Sequence, residues 1–148
     1  MDEAHLYQVD VKSTGLKSGT LGSPDGLPVL SVSSPPQFGG PAGIWSPEHL
    51  YVAAVASCLM TTFRSIADMS GLDVLDYSDS ASGALVRGDD RLYKITEVTL
   101  RPHVVISDPD KVERALRLLE KAERVCLISR SIDSKVHLAP KVSVVATV

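Results

Sequence analysis

Hydrophobic and polar positions along this chain mark out eight elements. Leu6 to Lys12 alternates well enough for a strand, and LPVLSVS, Leu27 to Ser33, reads as a second. Between them lies a glycine-rich loop, Ser13 to Gly26, with room for a short strand in its middle. SPPQFGGPAG then forms an irregular crossover. Ser46-Pro47-Glu48 combines an N-cap residue, a proline at the first helical position and an acid in the first turn. That start predicts a helix to about Met69, closed by Gly71 at the C′ position. Leu50 to Met60 is interrupted only by Ser57, so this half of the helix should be buried on nearly all sides.

Asp73 to Val86 and Arg91 to Ile106 read as two long strands joined by a hairpin at Gly88–Asp90. A second helix starts at Ser107 or Asp108 and runs to Cys126. Its apolar face comprises Val112, Leu116, Leu119, Ala122 and Cys126, opposite Lys111, Arg114 and Lys121. Lys135–Leu138 and Lys141–Val148 are closing strands around Pro140. The order β-β-α-β-β-α-β-β predicts an α+β domain with largely antiparallel sheet. Without internal repeats or a long linker, residues 1–148 are expected to form a single domain.

Composition narrows the function classes. The chain has a net charge of −3 and 5% aromatic residues, which gives no electrostatic footprint for nucleic acid or an anionic membrane. The N-terminus MDEAHLYQVDVK lacks the basic and apolar regions of a signal peptide. The longest apolar run falls short of the ~20 residues of a membrane span. A cytoplasmic protein is expected. The four histidines show no metal-ligand spacing, and no phosphate loop, dinucleotide fingerprint or nucleophile elbow occurs. No metal and no cofactor are implied.

The candidate chemistry lies in two cysteines, Cys58 and Cys126, each on the apolar face of a predicted helix. Free cysteine is often a small core hydrophobe. If the helices pack together, the thiols can instead meet and cycle between dithiol and disulfide. The reactive thiolate then needs nearby donors or positive charge. Glu48 is explained by the helix dipole alone. Ten residues separate it from Cys58, about 15 Å of helix, so the two meet only if two copies of the helix cross antiparallel. Lys17 reads as a solvated loop residue, and Arg64, Arg124 and Arg130 as solvated residues flanking the cysteines.

The segment PEHLYVAAVASC resembles the P-E-x-L…(A/S)-x-C signature of the OsmC/Ohr family of osmotically inducible and organic-hydroperoxide-resistance proteins. The long hairpin, the helix ending in VCLIS and the closing strands agree, so the similarity covers nearly the whole chain. The resemblance implies an OsmC-like fold, mostly antiparallel sheets wrapped around two long central helices, in an intertwined homodimer. It implies a stress-response peroxidase that reduces organic hydroperoxides with electrons from small or lipoyl thiols. Cys58 matches the peroxidatic cysteine, Cys126 the resolving cysteine with which it forms a disulfide, and Glu48 the acid that orients an arginine beside the thiolate. Two positions depart from the pattern. TGLKSG stands where Ohr members carry T-G-G-R-D-G, so Lys17 occupies the arginine position, with Arg64, Arg124 and Arg130 as substitutes. Lysine keeps the charge but loses the planar fork. Leu127 stands where the family usually has proline, which leaves the backbone after Cys126 less restricted. The alternative is a catalytically weak OsmC-like stress or small-molecule-binding dimer with an apolar interface pocket.

Overall fold

The computed structural model describes residues 2–145. The end of the expected last strand, residues 146–148, lies outside the described residues. The chain divides into two compact units, with the boundary between Leu50 and Tyr51.

In the first unit, β1 (Asp10–Ser13), β2 (Ser18–Gly22) and β3 (Leu30–Ser33) form an antiparallel meander. The first and third strands are shorter than the alternation predicts, and the strand within the glycine-rich loop is present. After β3 the backbone turns through Pro36–Phe38. Gly39 has φ +83°, and a Cβ on Gly40 would lie 1.6 Å from the Ser34 carbonyl oxygen, so this turn tolerates no side chain at Gly40.

Helix α1 runs from Pro47 to Met69, capped as its sequence predicts. The Ser46 hydroxyl accepts the His49 N–H at 3.1 Å and pairs with His49 Nδ1 at 2.7 Å. Gly71, with φ +71°, ends the helix, and Leu72 N–H reaches back to the Ala67 carbonyl.

The second unit holds two three-stranded sheets. The strands are β4 (Val74–Asp79), β5 (Ser82–Arg87), β6 (Tyr93–Leu100), β7 (Pro102–Ile106), β8 (Lys135–Leu138) and β9 (Lys141–Val144). Their orders are β4-β7-β9 and β5-β6-β8. The two long strands expected from sequence are thus each broken in two, and the hairpin is shared between sheets. Arg101 explains the break: its N–H donates to Asp79 Oδ1 at 2.8 Å, and its guanidinium donates to the Ser80 carbonyl and the Ser82 hydroxyl. Pro102 then offers no donor. Pairing is antiparallel within β4–β7 and β5–β6, but β8 and β9 join in parallel.

Helix α2 covers Val112–Val125, after a turn in which the Asp108 carboxylate accepts the Asp110 N–H, and the short helix α3 covers Leu127–Ser131. Cys126 is therefore the junction of two helices rather than the last residue of one; its ψ of 117° leaves the helical region. The buried side of α2 is Ala115, Leu119 and Ala122. Leu116, expected on that side, is only half-buried, and the smaller Ala115 takes its place.

The core joins Val55, Leu59, Phe63 and Ala67 of α1 to Val98, Leu100, Val104 and Ile106 of the sheets and to the buried side of α2. Each large apolar side chain buried here contributes roughly 1.5–3 kcal/mol. Within one chain α1 buries a single stripe, not nearly all sides as its composition suggests. Positions four apart face the sheets, while Met60 and Met69 remain exposed, Met69 at 81%. Among the described residues, α1 is also long and apolar enough to cross a membrane, with mean hydropathy 1.5.

Candidate active site

Cys58 lies in the middle of α1, half-buried, one residue before the core side chain Leu59. Its sulfur lies 3.9 Å from the hydroxyl of Thr62, one turn further along the helix. Cys126 is fully buried at the start of α3. Both cysteines are free thiols, and each acts on the ionisation of the other. The pair predicted from sequence is thus brought together, by a helix from one side and a helix junction from the other.

Why α3 begins at this place explains the remaining donors. The first amides of a helix have no carbonyl partners within it. Cys126 occupies the N-cap position but makes no side-chain cap, and the first intrahelical bond runs from Arg130 N–H to the Cys126 carbonyl. The amides of Leu127 and Ile128 favour ionisation of Cys58, and the amide of Ser129 favours that of Cys126.

These contacts separate the two thiols electrostatically. Burial alone would push the Cys58 thiol up. The Cys126 thiol, the Ile128 amide, the Thr62 hydroxyl and the Leu127 amide outweigh it, and Cys58 ionises below its ordinary value. Cys126 is pushed up, first by burial and then by Cys58, against the amide and hydroxyl of Ser129. The two thiols are shifted in opposite directions, Cys58 down and Cys126 up. No guanidinium contributes to the ionisation of Cys58. Arg64 instead donates to the Val74 carbonyl, and Arg124 and Arg130 are exposed near the ends of α2 and α3.

Behind Cys126 stands Tyr77 of β4, whose ring packs on Phe63 at 5.7 Å between centroids. Its hydroxyl is buried without a hydrogen-bond partner. Burial, then the charges of Asp79 and Cys126, push its pKa up.

The other two candidate residues belong to the first unit. Lys17 is exposed, and its ammonium donates to the Phe38 carbonyl; among the described residues no ion pair joins it to Glu48. Glu48 Oε2 is buried without a hydrogen-bond partner.

Sequence reasoning missed Thr62, Tyr77 and the three amides. Thr62 was accessible through its spacing of four from Cys58. Backbone donors leave no residue-type signal; they depend on where α2 stops. Among the described residues, no cluster of three or more His, Cys, Asp or Glu side chains could hold a metal ion.

Comparison with known proteins places this geometry. Residues 40–141 match the family model for OsmC-like proteins. The uncharacterized protein YmaD of Bacillus subtilis (strain 168) is 31% identical over 129 residues, which is 85% of this chain and 84% of YmaD. Among solved structures, an OsmC-like protein of unknown function from Vibrio cholerae superposes with a TM-score of 0.85 at 25% identity, covering 93% of this chain and 99% of that one. An organic hydroperoxide resistance protein OsmC from Legionella pneumophila gives a TM-score of 0.73 at 28% identity, covering 95% and 100%.

Proposed function

The chain belongs to the family of OsmC-like proteins, and from that premise we propose that it is a cysteine-based peroxidase that reduces organic hydroperoxides as a homodimer. One observation supports this most: two free thiols that act on each other's ionisation, with Cys58 lowered and Cys126 raised in pKa. That is the division a nucleophile and a resolving thiol require. The Cys58 thiolate attacks the terminal oxygen of the hydroperoxide, and the O–O bond breaks. The departing alkoxide takes a proton and leaves as the alcohol, with Cys58 as sulfenic acid. The Cys126 sulfur then displaces water from that sulfenic acid, giving a Cys58–Cys126 disulfide. Two thiols of a small-molecule or lipoyl reductant return it to the dithiol by exchange.

The homodimer is supported by the exposed Met60 and Met69 of α1 and by the orphaned Glu48 Oε2. A buried acceptor without a donor is costly, and an intertwined second copy can supply one. In that arrangement Glu48 of the partner subunit serves Cys58, which Glu48 of the same helix, ten residues away, does not reach. In this proposal residues 1–148 act as a single domain. A cytoplasmic location fits a pair of free thiols.

The alternative, a catalytically weak stress-associated dimer that binds small molecules in an apolar interface pocket, is favoured by one observation. Lys17 is engaged by the Phe38 carbonyl and not by Glu48. Turnover decides between the two. Cys58→Ser is expected to abolish reduction of cumene hydroperoxide. Cys126→Ser is expected to stop after one equivalent, with a sulfenic acid at Cys58 that dimedone traps. Normal turnover by Cys58→Ser overturns the cysteine peroxidase, and negligible turnover by the unaltered protein favours the binder.

A further inference from the structure

Hydroxyl side chains inside a helix usually donate to the carbonyl three or four residues before them. Ser57 does so, to Ala53 at 2.7 Å. Thr61 does so, to Ser57 and to Cys58, each at 3.2 Å. Ser131 of α3 does so, to Leu127 at 2.6 Å. Thr62 does not. The carbonyl four residues before it belongs to Cys58, and that oxygen already accepts the Thr61 hydroxyl beside its main-chain bond within α1. The Thr62 hydroxyl meets the Cys58 sulfur instead, at 3.9 Å.

Placement on α1 sets this contact apart from the others. Residues four apart lie on one face of a helix, so donor and sulfur are held by the same element. The remaining groups that act on Cys58, namely Cys126 and the amides of Ile128 and Leu127, come from the junction of α2 and α3. Thr62 is the donor that Cys58 carries on its own helix. Both side chains are half-buried, where a hydrogen bond is stronger than in water.

We propose that Thr62 is a further residue of the reaction centre, whose hydroxyl donates to the Cys58 sulfur, orients it and stabilises its thiolate form. The ionisation of Cys58 below its ordinary value agrees with this, since the Thr62 hydroxyl is one of the groups that lower it. Cys126 is the titratable group of this chain that acts on Cys58. Tyr77 of β4 lies beyond it, and Glu48 of the partner subunit joins them in the homodimer proposed above. The proposal rests on Cys58 being the nucleophile, but its test needs no peroxide.

The test is the pH profile of alkylation of Cys58 by iodoacetamide, followed on the Cys58 peptide by mass spectrometry. Thr62→Val keeps the shape of the side chain and removes the hydroxyl. It is expected to move the midpoint to higher pH and to slow alkylation near neutral pH roughly three- to tenfold, with no fall in the plateau at high pH. Thr62→Ser keeps the hydroxyl and is expected to retain the wild-type midpoint. Circular dichroism checks the fold of each variant. If Thr62→Val does not fold, Thr62→Ala removes the same hydroxyl without adding a methyl group. An unshifted midpoint in a folded variant without the hydroxyl overturns the proposal, as does a shift in Thr62→Ser equal to that in Thr62→Val. A wild-type protein inert toward hydroperoxides would contradict the peroxidase and leave this result intact.

Discussion

Asp79 shows how one side chain can serve the fold at an electrostatic cost. Its Oδ1 accepts the Arg101 N–H and thereby breaks the long strand, while Oδ2 is buried without a partner. Burial raises its pKa, and the Arg101 N–H and guanidinium only partly oppose that. A carboxyl raised on folding adds stability below its unfolded value and loses it as pH rises through the folded value. At neutral pH the charge on Asp79 is a net burden. Asp79→Asn keeps the acceptor and removes the charge, so urea titration at pH 7 should show stability equal to or above wild type. Asp79→Ala leaves the Arg101 amide unpaired and should cost about 1–3 kcal/mol. Equal destabilisation by the two would show that the charge itself is needed. The same logic separates the two cysteines: identical side chains acquire opposite shifts because one faces donors and the other is fully buried.

At the scale of elements, the sequence was most informative where local signals are strong. The Ser46–Pro47 start, the Gly71 stop and the hairpin near Gly88 all follow from capping and turn chemistry. It was least informative where a tertiary hydrogen bond intervenes, as at Arg101, or where a helix ends without glycine or proline, as at Cys126. The expectation for α1 erred in an instructive way. Composition reports how much of a helix is apolar and is silent on what covers it. One stripe packs on the sheets of the same chain, Tyr51, Val52, Ala56 and Ile66 are partly buried beside it, and Met60 and Met69 are exposed. Exposed apolar side chains on a helix that long suit an interface. Sedimentation of the purified protein at micromolar concentration should therefore give twice the chain mass. A monomer there would contradict the homodimer.

For the whole molecule, the resemblance in PEHLYVAAVASC conveyed the fold. The source of activation was not legible, because three of the donors are main-chain groups. Lys17 illustrates the converse. Its sequence position suggested a catalytic cation, yet its ammonium is engaged by the Phe38 carbonyl in the tight turn at Gly39 and Gly40. Met60, Val125 and Leu127 are exposed close in sequence to the two cysteines.

The rate at which the reduced protein loses free thiol after mixing with cumene hydroperoxide or hydrogen peroxide tests this most directly. Both thiols of each chain should disappear together as one Cys58–Cys126 disulfide. The aryl hydroperoxide should react at least about tenfold faster, since burying its ring is worth more than the ~1.4 kcal/mol that a factor of ten requires. Persistence of both thiols with the aryl hydroperoxide, or equal rates with the two oxidants, would contradict an organic hydroperoxide peroxidase.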